Sequence, residues 1–219
     1  MSRLYEEPHR AFQDHFGTRG IADRVEDVAM ATEITPEAKA FIESRDMFFL
    51  TTIDPKGRPT VSYKGGPTGF VKVLDDQTLA FPSYDGNGMY YSMGNIDSCA
   101  EIGMLFIDFE TPHRIRLQGR GSVCATDPLL SEWQEAELVV RVGLHELWQN
   151  CPRYIHRYKQ IKQSRYVPAA DRETPVAGWK RIDGMQDVLR PHERAAVEQE
   201  GEITLDEWAE KIVTGDEKA

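Results

Sequence analysis

The chain has 219 residues, 40% of them apolar and 28% charged, with a formal net charge of −10. That balance belongs to a globular protein and not to a disordered one, and the acidic excess argues against a nucleic-acid surface, which needs clustered Lys and Arg. Three scattered cysteines, Cys99, Cys124 and Cys151, read as reduced thiols, no apolar run reaches the roughly 20 residues of a membrane helix, and Met1–Arg10 lacks a signal-peptide pattern, so a cytoplasmic location is expected.

From Met1 to about Glu33 the sequence is polar with scattered aromatics (Tyr5, Phe12, Phe16), which predicts an arm or short helices over the outside of a core, spanning 1–34. Thr35-Pro36-Glu37 carries a helix start, with a capping hydroxyl, proline in the first turn and an acid after it, and the helix should run to about Arg45. Strand signals then follow closely. Met47–Ile53 stops at the turn Asp54-Pro55-Lys56-Gly57; Pro59–Lys64 stops at Gly65-Gly66-Pro67-Thr68-Gly69; Phe70–Leu74 and Thr78–Pro82 flank Asp75-Asp76. After a loop at 83–88, Met89–Asp97 predicts a short helix, and Glu101–Phe109 and Arg114–Cys124 predict two longer strands. Six or more such strands over 35–126 predict a mainly β core with flanking helices, an antiparallel barrel or sandwich.

From Asp127 the apolar spacing turns helical, which predicts helices over 127–142 and 143–164 in a C-terminal helical region, 127–219, packing on the barrel. The tail adds helices at Pro191–Glu200 and Thr204–Val213, the latter amphipathic through Leu205, Trp208 and Ile212. Trp133, Trp148 and Trp208 on these helices give some support to a subunit interface.

Common catalytic signatures are missing. His145-Glu146 begins like a zinc-protease motif, but Gln149 stands where the second histidine belongs. Gly86-Asn87-Gly88 has Tyr91 in place of the third glycine of a dinucleotide fingerprint. No Walker loop or serine elbow occurs. What remains is an anion-binding pattern. Ser62 and Lys64 alternate on one strand face with Gly65-Gly66 after them. Asn87, Ser92 and Asn95 flank or lie on the short helix that follows Gly88, whose N-terminus offers free N–H groups. Arg114 and Arg116 share one strand face. Each has a structural reading beside the functional one: a solvated face for the arginines and Lys64, turn chemistry for Asn87, capping for Asn95, solvent for Ser92. Met89, Tyr90, Tyr91 and Met93 read as packing residues.

Taken in order, Phe48-Phe49-Leu50-Thr51-Thr52, Gly57-Arg58-Pro59-Thr60-Val61-Ser62, Gly69-Phe70-Val71, Thr78-Leu79-Ala80-Phe81, Gly86-Asn87-Gly88, Gly94-Asn95-Ile96, Gly103–Ile107 and Arg114–Gly121 resemble the pyridoxamine 5′-phosphate oxidase-like family, over about Phe41–Ala125. The Asn150–Ile155 stretch, Asn-Cys-Pro-Arg-Tyr-Ile, is similar to one in its uncharacterised flavin-nucleotide-binding branch. The resemblance implies an antiparallel split β-barrel, a homodimer with FMN between the subunits, and a flavin-dependent oxidoreductase using a small-molecule electron donor or acceptor. It places Ser62, Tyr63, Lys64 and Gly65 on the flavin strand, Phe81 and Pro82 on its neighbour, Asn87 and Gly88 on the phosphate loop, and Arg114 near the flavin. The vitamin-B6 oxidases carry Arg at the position of Ser62 and Arg-Lys at Asn87-Gly88, so phosphate binding here falls to Lys64, Arg114 or Arg116. No counterpart of their substrate-binding C-terminal segment occurs in 175–219, which points away from pyridoxamine phosphate. A helix beginning at Pro152 is expected to present amides and Arg153 to a ligand, with Cys151 either reactive on the same ligand side or, the favoured reading, buried. The competing reading is a non-catalytic sensor that binds flavin, haem or a deazaflavin.

Overall fold

In the computed structural model, which describes residues 2–219, the chain divides into two compact units, Met1–Lys159 and Gln160–Ala219. The first is built on an eight-stranded antiparallel sheet. Strand β1 (Met30–Ala31) follows two short helices, α1 (Glu7–His15) and α2 (Arg19–Ala29). Helix α3 (Pro36–Glu43) starts where the sequence places it, with the Thr35 hydroxyl accepting from Ala38 N at 3.2 Å.

Next come β2 (Met47–Ile53), β3 (Pro59–Gly65), β4 (Lys72–Val73), β5 (Thr78–Tyr84), helix α4 (Tyr91–Ser98), β6 (Glu101–Asp108), β7 (His113–Cys124) and β8 (Ala136–Asn150). Their order across the sheet is β3-β2-β6-β7-β8-β5-β4, with β1 pairing β8 off this path. The two ends, β3 and β4, do not pair, so the barrel stays open. The β2–β3 hairpin turns at Asp54–Gly57, where Gly57 takes φ +77, a left-handed conformation that suits glycine.

One prediction fails here. The two helices expected over 127–142 and 143–164 are absent; a 3₁₀ turn at Pro128–Glu132 leads into the 15-residue β8, and residues 151–164 form no helix. Trp133 is accordingly a core residue, 6% exposed with its Nε1 donating to the Phe70 carbonyl at 2.9 Å, and Trp148 lies on a strand. The sheet thus runs well past residue 126.

The core fills the barrel interior. Phe48 sits at its centre, with ring centroids of Phe70, Phe81 and Phe106 at 5.7, 5.0 and 5.2 Å. All four rings are buried, so each contributes roughly 1.5–3 kcal/mol by the usual area bookkeeping. Helix α4 packs across β2 and β7, which brings its N-terminus to the edge where β3 ends the sheet.

The second unit holds 3₁₀ turns at Gly178–Arg181 and Asp183–Val188, then α5 (Pro191–Glu200) and α6 (Leu205–Thr214). Its interior contains an ion pair, Lys180 Nζ to Glu193 Oε1 at 2.6 Å, both residues buried. Burial works against the Glu193 carboxylate, yet hydrogen bonds from Arg190 and Lys180 outweigh it and hold its pKa at about 2.

Candidate functional site

Three pieces of chain meet at one cleft of about 310 Å³. Strand β3 contributes Thr60, Ser62 and Lys64, which alternate with the outward-facing Val61 and Tyr63. The end of β5 contributes Ser83 and Tyr84. The loop Gly86–Tyr90 and the first turn of α4 (Tyr91, Ser92, Met93) close the other side. The loop holds its shape locally: Asn87 Oδ1 accepts from Met89 N at 3.1 Å, and Gly88 takes φ +72. A side chain added at Gly86 or Gly88 would meet open space, so the loop backbone is free to lie against a ligand.

The electrostatics are those of an anion receptor. None of the lining residues is acidic, although the chain contains 36 Asp and Glu. Lys64 is half-buried and has no hydrogen-bond or ion-pair partner among the described residues, and burial alone pushes its ammonium below the usual lysine value. Helix α4 starts at Tyr90 without a side-chain cap, which leaves the first-turn amides open toward the cleft. The Ser62 and Ser92 hydroxyls are 3.2 Å apart, joining β3 to that turn. Tyr84 is pushed up to about 12, by burial first and then by the neighbouring Glu135 charge, so its hydroxyl stays protonated and able to donate. A desolvated cation, uncapped amides and neutral hydroxyls fit a phosphate group.

Of the residues singled out from the sequence, Ser62, Lys64, Asn87, Gly88 and Ser92 line this cleft. The others do not. Tyr63 points to the opposite sheet face, 62% exposed and edge-on to Phe49, while Gly65 backs onto the Tyr63 ring. Phe81 and Pro82 are buried in β5, and Asn95 turns inward, its Nδ2 donating to the Thr52 hydroxyl at 3.0 Å. Arg114 and Arg116 share a face of β7, as expected, but it is the outward one, turned away from their own chain's cleft. The helix expected at Pro152 is absent, Cys151 is exposed where burial was expected, and Arg153 is solvated.

The cleft also contains residues that the sequence reading passed over. Thr60 lies within the Gly57–Ser62 motif without a site role of its own, Ser83 and Tyr84 carry no motif, and Met89, Tyr90 and Tyr91, which suit packing by their spacing, instead form an exposed rim. Tyr90 at a left-handed helix start (φ 45) had no sequence signal, since that conformation favours Gly or Asn.

The family model described as pyridoxamine 5′-phosphate oxidase matches residues 34–166, while no curated protein matches the chain. Similar solved structures include HupZ of Group A Streptococcus, 17% identical over 57% of this chain and 99% of that one, with a TM-score of 0.44. An FMN-binding protein from Syntrophomonas wolfei is 9% identical over 65% and 96%, with a TM-score of 0.42. HutZ of Vibrio cholerae, a haem storage protein, is 18% identical over 53% and 94%, with a TM-score of 0.39. With more than half of its length matched by the family model and an open antiparallel barrel for a fold, the chain belongs to the pyridoxamine 5′-phosphate oxidase family.

Proposed function

We propose that this protein binds FMN and is a flavin-dependent oxidoreductase, with the FMN phosphate seated in the β3–α4 cleft. The observation that carries the reading is Lys64, a half-buried cation without a partner among the described residues, beside uncapped helix amides in a cleft whose lining contains no acid. When bound, FMN would supply electron or hydride transfer through its ring, chemistry for which the chain has no side-chain constellation of its own. Lys64 and the first-turn amides of α4 hold the phosphate, and the hydroxyls of Thr60, Ser83 and Tyr84 offer further donors at the cleft wall.

A volume of about 310 Å³ is at the small end of ligand clefts. On this reading one chain supplies part of the site, and a second copy supplies the rest. Arg114 and Arg116, on the outward face, meet the flavin of that second copy, where a guanidinium would stabilise negative charge on the ring. The C-terminal segment that helps hold substrate in the vitamin-B6 oxidases has no counterpart in residues 175–219, so the substrate is a different small molecule.

The absorbance spectrum of the purified protein tests this directly. A yellow sample, bleached by a reduced nicotinamide donor and recoloured by an acceptor, is the expected result. A colourless sample that ignores added FMN would sink the proposal, and a Soret band in place of flavin bands would replace it with haem binding.

A further inference from the structure

We infer that Asp54, which does not line the cleft, is a positioning residue that aims the anion-binding turn of α4 through Tyr91. The inference rests on the reading of the cleft as a phosphate site. Asp54 directly follows β2, at the start of the β2–β3 turn, and is buried. Its Oδ1 accepts from the backbone N–H of Lys56 and Arg58, both at 2.9 Å, and its Oδ2 from Arg58 Nε at 2.8 Å and a terminal nitrogen at 2.7 Å. Four donors from its own turn fix the carboxylate, so it acts as a rigid post. The fifth donor comes from elsewhere: the Tyr91 hydroxyl, at 3.3 Å from Oδ2.

Tyr91 is the first residue of α4, and the helix start needs holding. Its N-cap, Tyr90, provides no side-chain cap and sits at φ 45, a conformation that is costly for a residue with a Cβ. The turn is held by three tethers to separate parts of the barrel instead. Tyr90 donates to Glu137 on β8 at 2.5 Å, Ser92 meets Ser62 on β3 at 3.2 Å, and Tyr91 reaches Asp54 at the β2–β3 turn. Backbone amides stabilise an anion fully only if they are aimed before it arrives, because any reorganisation is subtracted from the binding free energy. Loosening the Asp54 tether should therefore weaken the hold on the phosphate and leave the ring contacts alone.

The test compares FMN with riboflavin, which lacks the phosphate, in titrations of the full chain and of its Tyr91→Phe and Asp54→Asn variants. Tyr91→Phe removes one rim oxygen and leaves the core untouched; its preference for FMN over riboflavin should fall about fivefold, the effect of one modest hydrogen bond. Asp54→Asn should shift the preference in the same direction. Equal losses for both ligands, or a parental preference in Tyr91→Phe, would overturn the positioning role while leaving the cleft assignment standing. A parent protein that binds flavin without preferring FMN overturns the phosphate reading itself and the inference with it.

Discussion

A lysine held half-buried with no anion beside it destabilises the free protein and strengthens the liganded one. Lys64 is in that position, its pKa lowered by desolvation. The sign follows from linkage: the unfolded chain binds the proton more tightly, so the penalty is fully present below the folded pKa and fades as pH rises toward the ordinary lysine value of 10.5. Lys64→Met should melt above the parent at neutral pH without phosphate or flavin, and that advantage should shrink as pH is raised in a series of thermal melts. The same variant should bind FMN on the order of tenfold to a hundredfold more weakly, the effect of one charge-assisted contact. A variant that melts below the parent at pH 7 would show that Lys64 has an internal partner after all. At this scale the sequence exposed part of the site, because Ser62, Lys64, Asn87, Gly88 and Ser92 are polar or glycine residues at strand ends and a helix start. Tyr84, Tyr90 and Tyr91 stayed hidden because an aromatic near a helix looks the same in sequence whether it packs a core or rims a cleft.

Among the elements, α4 depends on a glycine in the strand beneath it. A Cβ at Gly121 on β7 would come within 2.9 Å of Ile96 Cγ2, and Ile96 on α4 is buried and β-branched, with little room to yield. Gly121→Ala should push α4 off the sheet, costing about 1–3 kcal/mol in urea unfolding and weakening FMN binding together. Unchanged FMN affinity would uncouple α4 packing from the cleft. The strands on either side of α4 were legible from alternation and turn residues, whereas β8 was not, and its register explains why. Gln118 pairs with Glu146 and Gly119 with Leu144, so His145 is an extra residue, a bulge that reverses which side chains face inward. Val140, Leu144, Leu147 and Trp148 then fall at i, i+4, i+7 and i+8, the spacing of an amphipathic helix. No local pattern could separate the two, because the interruption exists only in the pairing with β7.

Across the whole first unit, the pairing registers line up one continuous row on the outward face of the sheet. Tyr63 lies opposite Phe49, Phe49 opposite Leu105, Leu105 opposite Arg116, Arg116 opposite Trp148, and Trp148 opposite Met30. Five of these six are apolar or aromatic, and the sixth is an arginine in the set proposed to meet flavin. Val61 and Tyr63 at one end are 65% and 62% exposed. An apolar band of this extent on a barrel face is a surface that a subunit interface would cover, and in the dimer proposed above Arg116 would meet the other copy's flavin. Leu105→Lys places a second cation beside Arg116 at the middle of the band and leaves the buried core untouched. It should convert a dimeric parent to a monomer in light scattering coupled to size-exclusion chromatography, and FMN affinity should fall with the dimer. A parent that runs as a monomer at micromolar concentration, or a monomeric variant that holds FMN as tightly as the parent, would mean that one chain completes the site alone, and Arg114 and Arg116 would then have no part in it.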